Sequence, residues 1–192
     1  MPLDLGGGEV RPFIRYKASL NCWEMSSAEG GVTEFEWNAP AVFDVEHIQL
    51  GWLHLAEGAR EWHAWPNNKQ TPKPDEKEWK PGFVVQVYSK ALFGSDPVRE
   101  YSSSATGNVE FIKKLYNQAE AEFGKGVVPV VKITGAKAER IGKGNTRIPL
   151  FNIEKYAPRP AELAVEGAPA QAQSAPPKAA AAAPAPAESD EF

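Results

Sequence analysis

The chain has 192 residues, a formal charge of −4, 24% charged side chains and 10% aromatic ones. Cys22 is its one cysteine, which excludes an intramolecular disulfide and a zinc ribbon and suits a reducing compartment. No run of about eighteen apolar residues is present for a membrane helix. Residues 1–8 also lack the basic start and apolar run of a signal peptide, so a soluble, cytoplasmic protein with no membrane partner is expected.

The charge is unevenly placed. Residues 161–192 hold Glu162, Glu166, Glu188, Asp190 and Glu191 against Lys178, so they carry the whole net charge and residues 1–160 balance to zero. Every aromatic residue but Phe192 lies before residue 160. These features divide the chain into one domain over 1–160, long enough to bury a core unaided, and a tail over 161–192.

In chain order, residues 1–10 read as a loose arm. Arg11 to Ala18 alternates, with Phe13, Arg15 and Lys17 on one face and Ile14, Tyr16 and Ala18 on the other. Ile14 belongs in the core, which leaves two cations and a ring outside, as on a strand that stacks bases and holds phosphates or on an edge strand with solvated charges. The segment from Asn21 to Asn38 begins with Cys22-Trp23-Glu24-Met25. After Gly30-Gly31, Val32, Glu34 and Glu36 alternate with Thr33, Phe35 and Trp37, a half-buried strand beyond a hairpin turn. Residues 41–55 are dense in β-formers, with Gly51 as an expected bulge or bend.

Trp62 and Trp65 precede a loop over 66–81 that carries Lys69, Lys73, Lys77 and Lys80 among four prolines. The prolines forbid regular structure there. Its lysines are either simply solvated or form a flap over a bound strand. Residues 83–89, including Tyr88, form a strand, and residues 90–104 a looser stretch. A helix follows, capped by Thr106 or Asn108, with Val109, Ile112, Leu115, Tyr116, Ala119 and Phe123 at helical spacing and Gly124 or Gly126 at its end. Two strands, 127–134 and 146–153, complete the domain around a basic, glycine-rich segment.

That last region is the richest in cations. Residues 132–155 carry Lys132, Lys137, Arg140, Lys143, Arg147 and Lys155 against Glu139 and Glu154. A basic hairpin of this kind can lay several cations along a phosphate backbone. The tail is an Ala/Pro-rich stretch with too few large apolar side chains to offset the entropy of ordering it. It ends in Glu188-Ser189-Asp190-Glu191-Phe192, an acidic cluster closed by one large apolar ring.

Strands around one principal helix, a late basic hairpin and an acidic tail ending in Phe together resemble the single-stranded DNA-binding proteins of bacteriophages. The resemblance implies a mainly β, OB-fold-like small barrel with one principal helix and a disordered C-terminal tail. It implies sequence-independent binding of single-stranded DNA in replication, recombination or repair. Backbone contacts would come from Arg15, Lys17, Lys132, Lys137, Arg140, Lys143 and Arg147. Stacking would come from exposed members of Phe13, Tyr16, Trp23, Trp37, Trp62, Trp65 and Tyr88. Glu188, Asp190, Glu191 and Phe192 would recruit a replication or recombination protein and compete with DNA for the basic groove.

The domain departs from that pattern in having no net positive charge. A neutral domain fits equally a non-enzymatic structural or adaptor protein that binds a protein partner through its tail. Catalysis is not expected, because no phosphate loop, nucleophile elbow or triad pattern is present. His54, Glu57, Glu61 and His63 match no metal-ligand spacing of known mechanism, so neither metal nor cofactor is expected.

Overall fold

The computed structural model describes residues 11–26, 31–56, 59–141 and 144–165. It opens with β1 (Phe13–Lys17), β2 (Cys22–Ser26) and β3 (Val32–Phe35), which pair antiparallel in sequence order. Alternation sets their faces. Ile14, Tyr16 and Trp23 are buried inward, and Phe35 packs against the same core. Arg15 and Glu34 take the outer face, as the period-two pattern predicts.

β4 (Ala41–Phe43) and β5 (Gln49–Ala56) both pair with β7 (Lys80–Tyr88), and a 3-10 turn at Val45–His47 separates them. The single strand expected over 41–55 therefore breaks at this turn. Gly51 is no bulge, since it pairs regularly with Ala64 on one side and Gly82 on the other. Its missing side chain serves a close approach instead. A Cβ there would overlap the His63 carbonyl oxygen and lie 2.7 Å from the Trp62 ring.

β6 (Ala59–Ala64) returns along β5, a strand that its polar sequence does not advertise. The stretch expected to be loose before the main helix holds α1 (Lys90–Phe93) and β8 (Val98–Ser103), with Arg99 and Tyr101 buried in β8. The helix itself, α2 (Thr106–Ala119), buries Phe111, Ile112, Leu115 and Ala119. Neither expected cap forms: Ala105 occupies the N-cap position without a side-chain bond, and Asn108 lies inside the helix. The last strands, β9 (Val127–Ile141) and β10 (Gly144–Pro158), run far beyond their expected ends and turn most of the basic segment into a long ribbon.

The sheet order is β10-β9-β4-β7-β8-β1-β2-β3, with β5 and β6 branching from β7. The result is a mainly β structure, a curled half-barrel with one main helix. Its connections follow the OB plan: β4 with β5, then β7 and β8 as a meander, then a helix, then a hairpin whose first strand returns to β4. β1 extends the sheet by pairing parallel with β8.

α2 reaches both sides of the sheet's opening. On one side the Asn108 amide donates to the Tyr16 carbonyl at 3.2 Å and to Ser103 Oγ at 2.9 Å. On the other, Gly107 lies so close to β10 that a Cβ would overlap the Arg147 carbonyl oxygen and approach Thr146 Oγ1 to 2.6 Å. Arg147 closes the gap directly, donating from Nη1 to the carbonyls of Ala18 (3.0 Å) and Ser19 (3.2 Å).

The fold continues past Pro160 into α3 (Ala161–Val165), where Leu163 is fully buried beside Val42, Val128 and Val130. Arg159 anchors this exit through Asp44, with Nη2 at 2.6 Å, and through the Leu163 carbonyl at 3.2 Å. No helix among the described residues is long and apolar enough to cross a membrane. The acidic tip, Glu188 to Phe192, lies outside the described residues.

Two substitutions test the packing. Gly107→Ala should lower stability by about 2 kcal/mol in urea unfolding, whereas Gly144→Ala, which meets open space, should change it by less than about 0.5 kcal/mol. The Tyr101 hydroxyl is buried with no hydrogen-bond partner among the described residues, so Tyr101→Phe should raise stability by about 1 kcal/mol.

Candidate nucleic-acid interface

The outer face of the meander is built by strand alternation. On β7, Phe83, Val85 and Val87 point into the core, which leaves Val84, Gln86 and Tyr88 outside. Their register partners on β8 are Ser102, Glu100 and Val98. Glu100 in turn lies beside Phe13 of β1, and Phe13 shares its face with Arg15 and Lys17. The β5–β6 ribbon continues the same face, because Leu53 pairs with Lys80 on one side and with Trp62 on the other. Arg60, two residues from Trp62, reaches Glu100 at 2.6 Å. Phe13, Trp62 and Tyr88 are thus brought to one face, each half-buried.

The remaining aromatic candidates are placed elsewhere. Tyr16 and Trp23 are 5% and 7% exposed, too little for a base to stack on either ring. Trp23 packs against Tyr16, Trp37 and Tyr101, with centroids 5.1 to 5.4 Å apart. Burial raises the Tyr16 hydroxyl above its ordinary pKa. Both point inward because they share the strand parity of Ile14, and they are core residues. Trp37 is half-buried and stacks on Phe43 at 6.0 Å and 25°. Trp65 meets Trp52 edge-on at 5.3 Å, on the ribbon face opposite Trp62.

That opposite face is covered by the proline-rich loop, which is tied down at several points. Trp52 Nε1 donates to the Thr71 carbonyl at 2.9 Å, and Trp79 Nε1 to Asp75 at 2.7 Å. Asn68 bridges Leu50 and Ile48, and Lys77 pairs with Glu61 at 2.8 Å. The His54 and His63 rings pack against the buried Trp79. Both histidines thereby serve the loop's packing, and Glu57 lies outside the described residues.

The cations divide sharply. Arg15 and Lys17 both bind Glu24, at 2.6 and 2.8 Å. The Lys17 hydrogen bond, and after it that of Arg15, holds the Glu24 carboxyl below its usual range against the effect of burial. Arg147 is committed to two backbone carbonyls. Lys77, Lys90, Arg99, Lys113, Lys125 and Arg159 have carboxylate partners. By contrast, Lys132, Lys137, Arg140 and Lys155 on the β9–β10 ribbon are exposed and make no ion pair among the described residues, as is true of Lys69, Lys73 and Lys80 in and beside the loop. Lys73 lies 5.9 Å from the Trp52 ring centroid. Lys143 lies outside the described residues.

One cluster resembles a metal-ligand set. Cys22, Glu24 and Glu34 offer ligand atoms within 4.8 Å of one another. Glu24 is already neutralised by two cations, and burial together with Glu34 pushes the Cys22 thiol above its ordinary pKa. Of the cluster's two carboxylates, Glu24 is therefore already engaged by Arg15 and Lys17.

No protein-family model matches the chain, and comparison with curated proteins and with solved structures finds no match. The sequence reading overlooked the outer polar residues Gln86, Glu100 and Arg60. Only the β6 and β8 registers bring them beside Phe13 and Trp62, and neither strand carries a clear apolar period.

The Glu24 pairing has a measurable consequence. Glu24→Gln should cost about 2 kcal/mol at neutral pH, since two charge-assisted bonds lose their acceptor charge. Because the folded pKa is lowered, the wild-type contribution is complete above the ordinary Glu value of about 4.3. It is lost as pH falls through the lowered folded value, and Glu24→Gln should remove that acid limb from the stability profile.

Proposed function

We propose that the protein binds single-stranded DNA without sequence preference, in phage or bacterial replication, recombination or repair. The observation that carries this reading is the segregation of unpaired positive charge. In the OB plan, ligands lie across strands two and three and under the loops joining strands one to two and four to five. Here those strands correspond to β7 and β8, and those loops to the β6–loop segment and the β9–β10 ribbon. The free cations Lys69 and Lys73 lie in the first loop and Lys80 beside it at the start of β7, and Lys132, Lys137 and Arg140 belong to the second. Between them in the plan lies the face of Phe13, Trp62 and Tyr88.

A domain with no net charge can in this way hold a polyanion, since many of its other cations are engaged by carboxylates or, for Arg147, by backbone carbonyls. Bases stack on Trp62 and Phe13, and phosphates run along the ribbon. Trp65 serves at the loop side if the covering loop lifts. The protein is non-catalytic and needs no cofactor on this reading. The tail tip, Glu188 to Phe192, competes for the ribbon and recruits a replication or recombination partner. One observation favours the adaptor alternative: the cations nearest the aromatic face, Arg15, Lys17 and Arg60, are all neutralised.

Titration of the intrinsic tryptophan fluorescence with a poly-dT oligonucleotide tests the reading, with duplex DNA as control. Quenching by the single strand alone is expected, weakening with salt. Trp62→Ala should reduce affinity by about 5- to 150-fold, the loss of one stacked base. Replacing Lys132, Lys137 and Arg140 together by Ala should flatten the logarithmic salt dependence by about 2. Deleting 188–192 should strengthen binding at low salt. No quenching, and no shift of a labelled oligonucleotide on a gel, would favour the adaptor.

A further inference from the structure

α3 packs on the same sheet face as Phe13 and Tyr88, and strand alternation fixes its place there. On β4, Ala41 and Phe43 belong to the main core, so Val42 points outward. Its register partners are Tyr88 of β7 and Val130 of β9, and Tyr88 in turn pairs with Val98 of β8. Leu163 is fully buried against Val42, Val128 and Val130, with Tyr88 and Val98 bordering the cluster. Glu162 accepts from the Tyr88 hydroxyl at 3.3 Å and pairs with Lys90 at 3.1 Å. Gln86, Glu100 and Phe13 form the next outward row on one side. On the other side, Lys132 is the next outward residue of β9 after Val130 and begins the row of ribbon cations. α3 thus lies across the sheet between the aromatic face and the ribbon.

We infer that α3 is an autoinhibitory strap, which closes the path from the aromatic face to the ribbon until single-stranded DNA displaces it. The inference rests on the proposed DNA-binding reading and adds a regulatory step to that site. The contact is suited to reversal. α3 is five residues long, too short to hold a helix without a surface to pack on. The Lys90 and Glu162 side chains are 68% and 40% exposed, so their pair is weak and open to competition from a phosphate. Opening breaks the bond from Arg159 to the Leu163 carbonyl but leaves Arg159 on Asp44, which holds the hinge at Pro160 in place. It also uncovers the Tyr88 ring and frees Lys90, adding a stacking surface and a cation where face and ribbon meet. Closure by Leu163 differs physically from competition by the acidic tip, because salt screens exposed carboxylates but not the burial of a leucine.

Hydrogen–deuterium exchange across residues 159–165 of the full chain, with and without a poly-dT oligonucleotide, reads the strap directly. Bound poly-dT should speed exchange of the Leu163 amide, which donates to the Pro160 carbonyl at 3.1 Å when α3 is docked. In fluorescence titration, Leu163→Ala should tighten poly-dT binding by about fivefold, since less of the protein is held in the closed state. That gain should persist at a salt concentration that abolishes the gain from deleting 188–192. Glu162→Gln should tighten binding more than Glu166→Gln, which makes the same charge change outside the described residues. Leu163 packs in a cluster apart from the main core, so Leu163→Ala should keep the fold, as thermal unfolding checks. If the wild type binds poly-dT but Leu163→Ala binds no more tightly, or exchange at α3 does not rise, the strap is overturned and the DNA reading stands. If neither protein binds, the DNA reading falls and the strap falls with it.

Discussion

The half-barrel depends on how its opening is filled. A sheet that curls but does not complete its hydrogen-bonding circuit exposes the inner side chains at the gap, and here those include Tyr16 and Ile148, which α2 covers with Phe111 in the same core. α2 solves this with a glycine where its first turn meets β10 and an asparagine where it meets β1. The Asn108 side chain gives up the helix-capping role its residue type favours. It donates instead to Tyr16 and Ser103, from a position only 3% exposed. Arg147 completes the seam from β10 to the β1–β2 turn. Helix, hairpin and added strand are consequently one cooperative unit, and the long ribbon extends from a fixed base.

That seam also explains the charge economy of the domain. Each cation that stabilises the fold is withdrawn from any role in binding an anion. Arg147 is held by carbonyls, Arg159 by the buried Asp44, and Arg15 and Lys17 by Glu24. Composition counts these residues equally with Lys132 or Arg140, so a balance of zero conceals an uneven distribution. Among the described residues, most cations without an ion pair lie on two segments, the proline-rich loop with the start of β7 and the β9–β10 ribbon. The overall neutrality is then a sum over two populations, one engaged within the fold and one exposed without an ion pair among the described residues.

How much of this was legible in the sequence varied with the strength of the local period. β1 and β3 alternate cleanly, and their inward and outward residues were readable from order alone. α2 was readable from its apolar spacing, though not its cap, because capping chemistry in Asn108 was overridden by tertiary partners. β6 and β8 were not readable: Ala-Arg-Glu-Trp-His-Ala and Val-Arg-Glu-Tyr-Ser-Ser place charges on a face that other strands then cover or pair. The aromatic candidates show the same limit. Strand parity already assigned Tyr16 to the side of Ile14, and so to the core, while Trp62 and Trp65 are separated only by the register of β5 with β6. Gly51 was noticed as unusual, but its reason is a ring from a neighbouring strand, which no local pattern encodes.

The placement of α3 bears on how the tail can act. Leu163 and Arg159 fix the chain beside Val42, Val128 and Asp44, at the foot of the β9–β10 ribbon. The ribbon's free cations lie between that foot and its tip, a distance of up to about 50 Å for a strand of this length. Residues 166–187 separate α3 from the acidic tip, and a chain of that length spans at most about 75 Å. The tip is therefore within reach of every free cation on the ribbon of its own molecule. Leu163 and the Arg159–Asp44 ion pair thus fix the point from which residues 166–192 leave the described fold. Under the proposed function, this makes competition between tail and DNA intramolecular, and so independent of protein concentration.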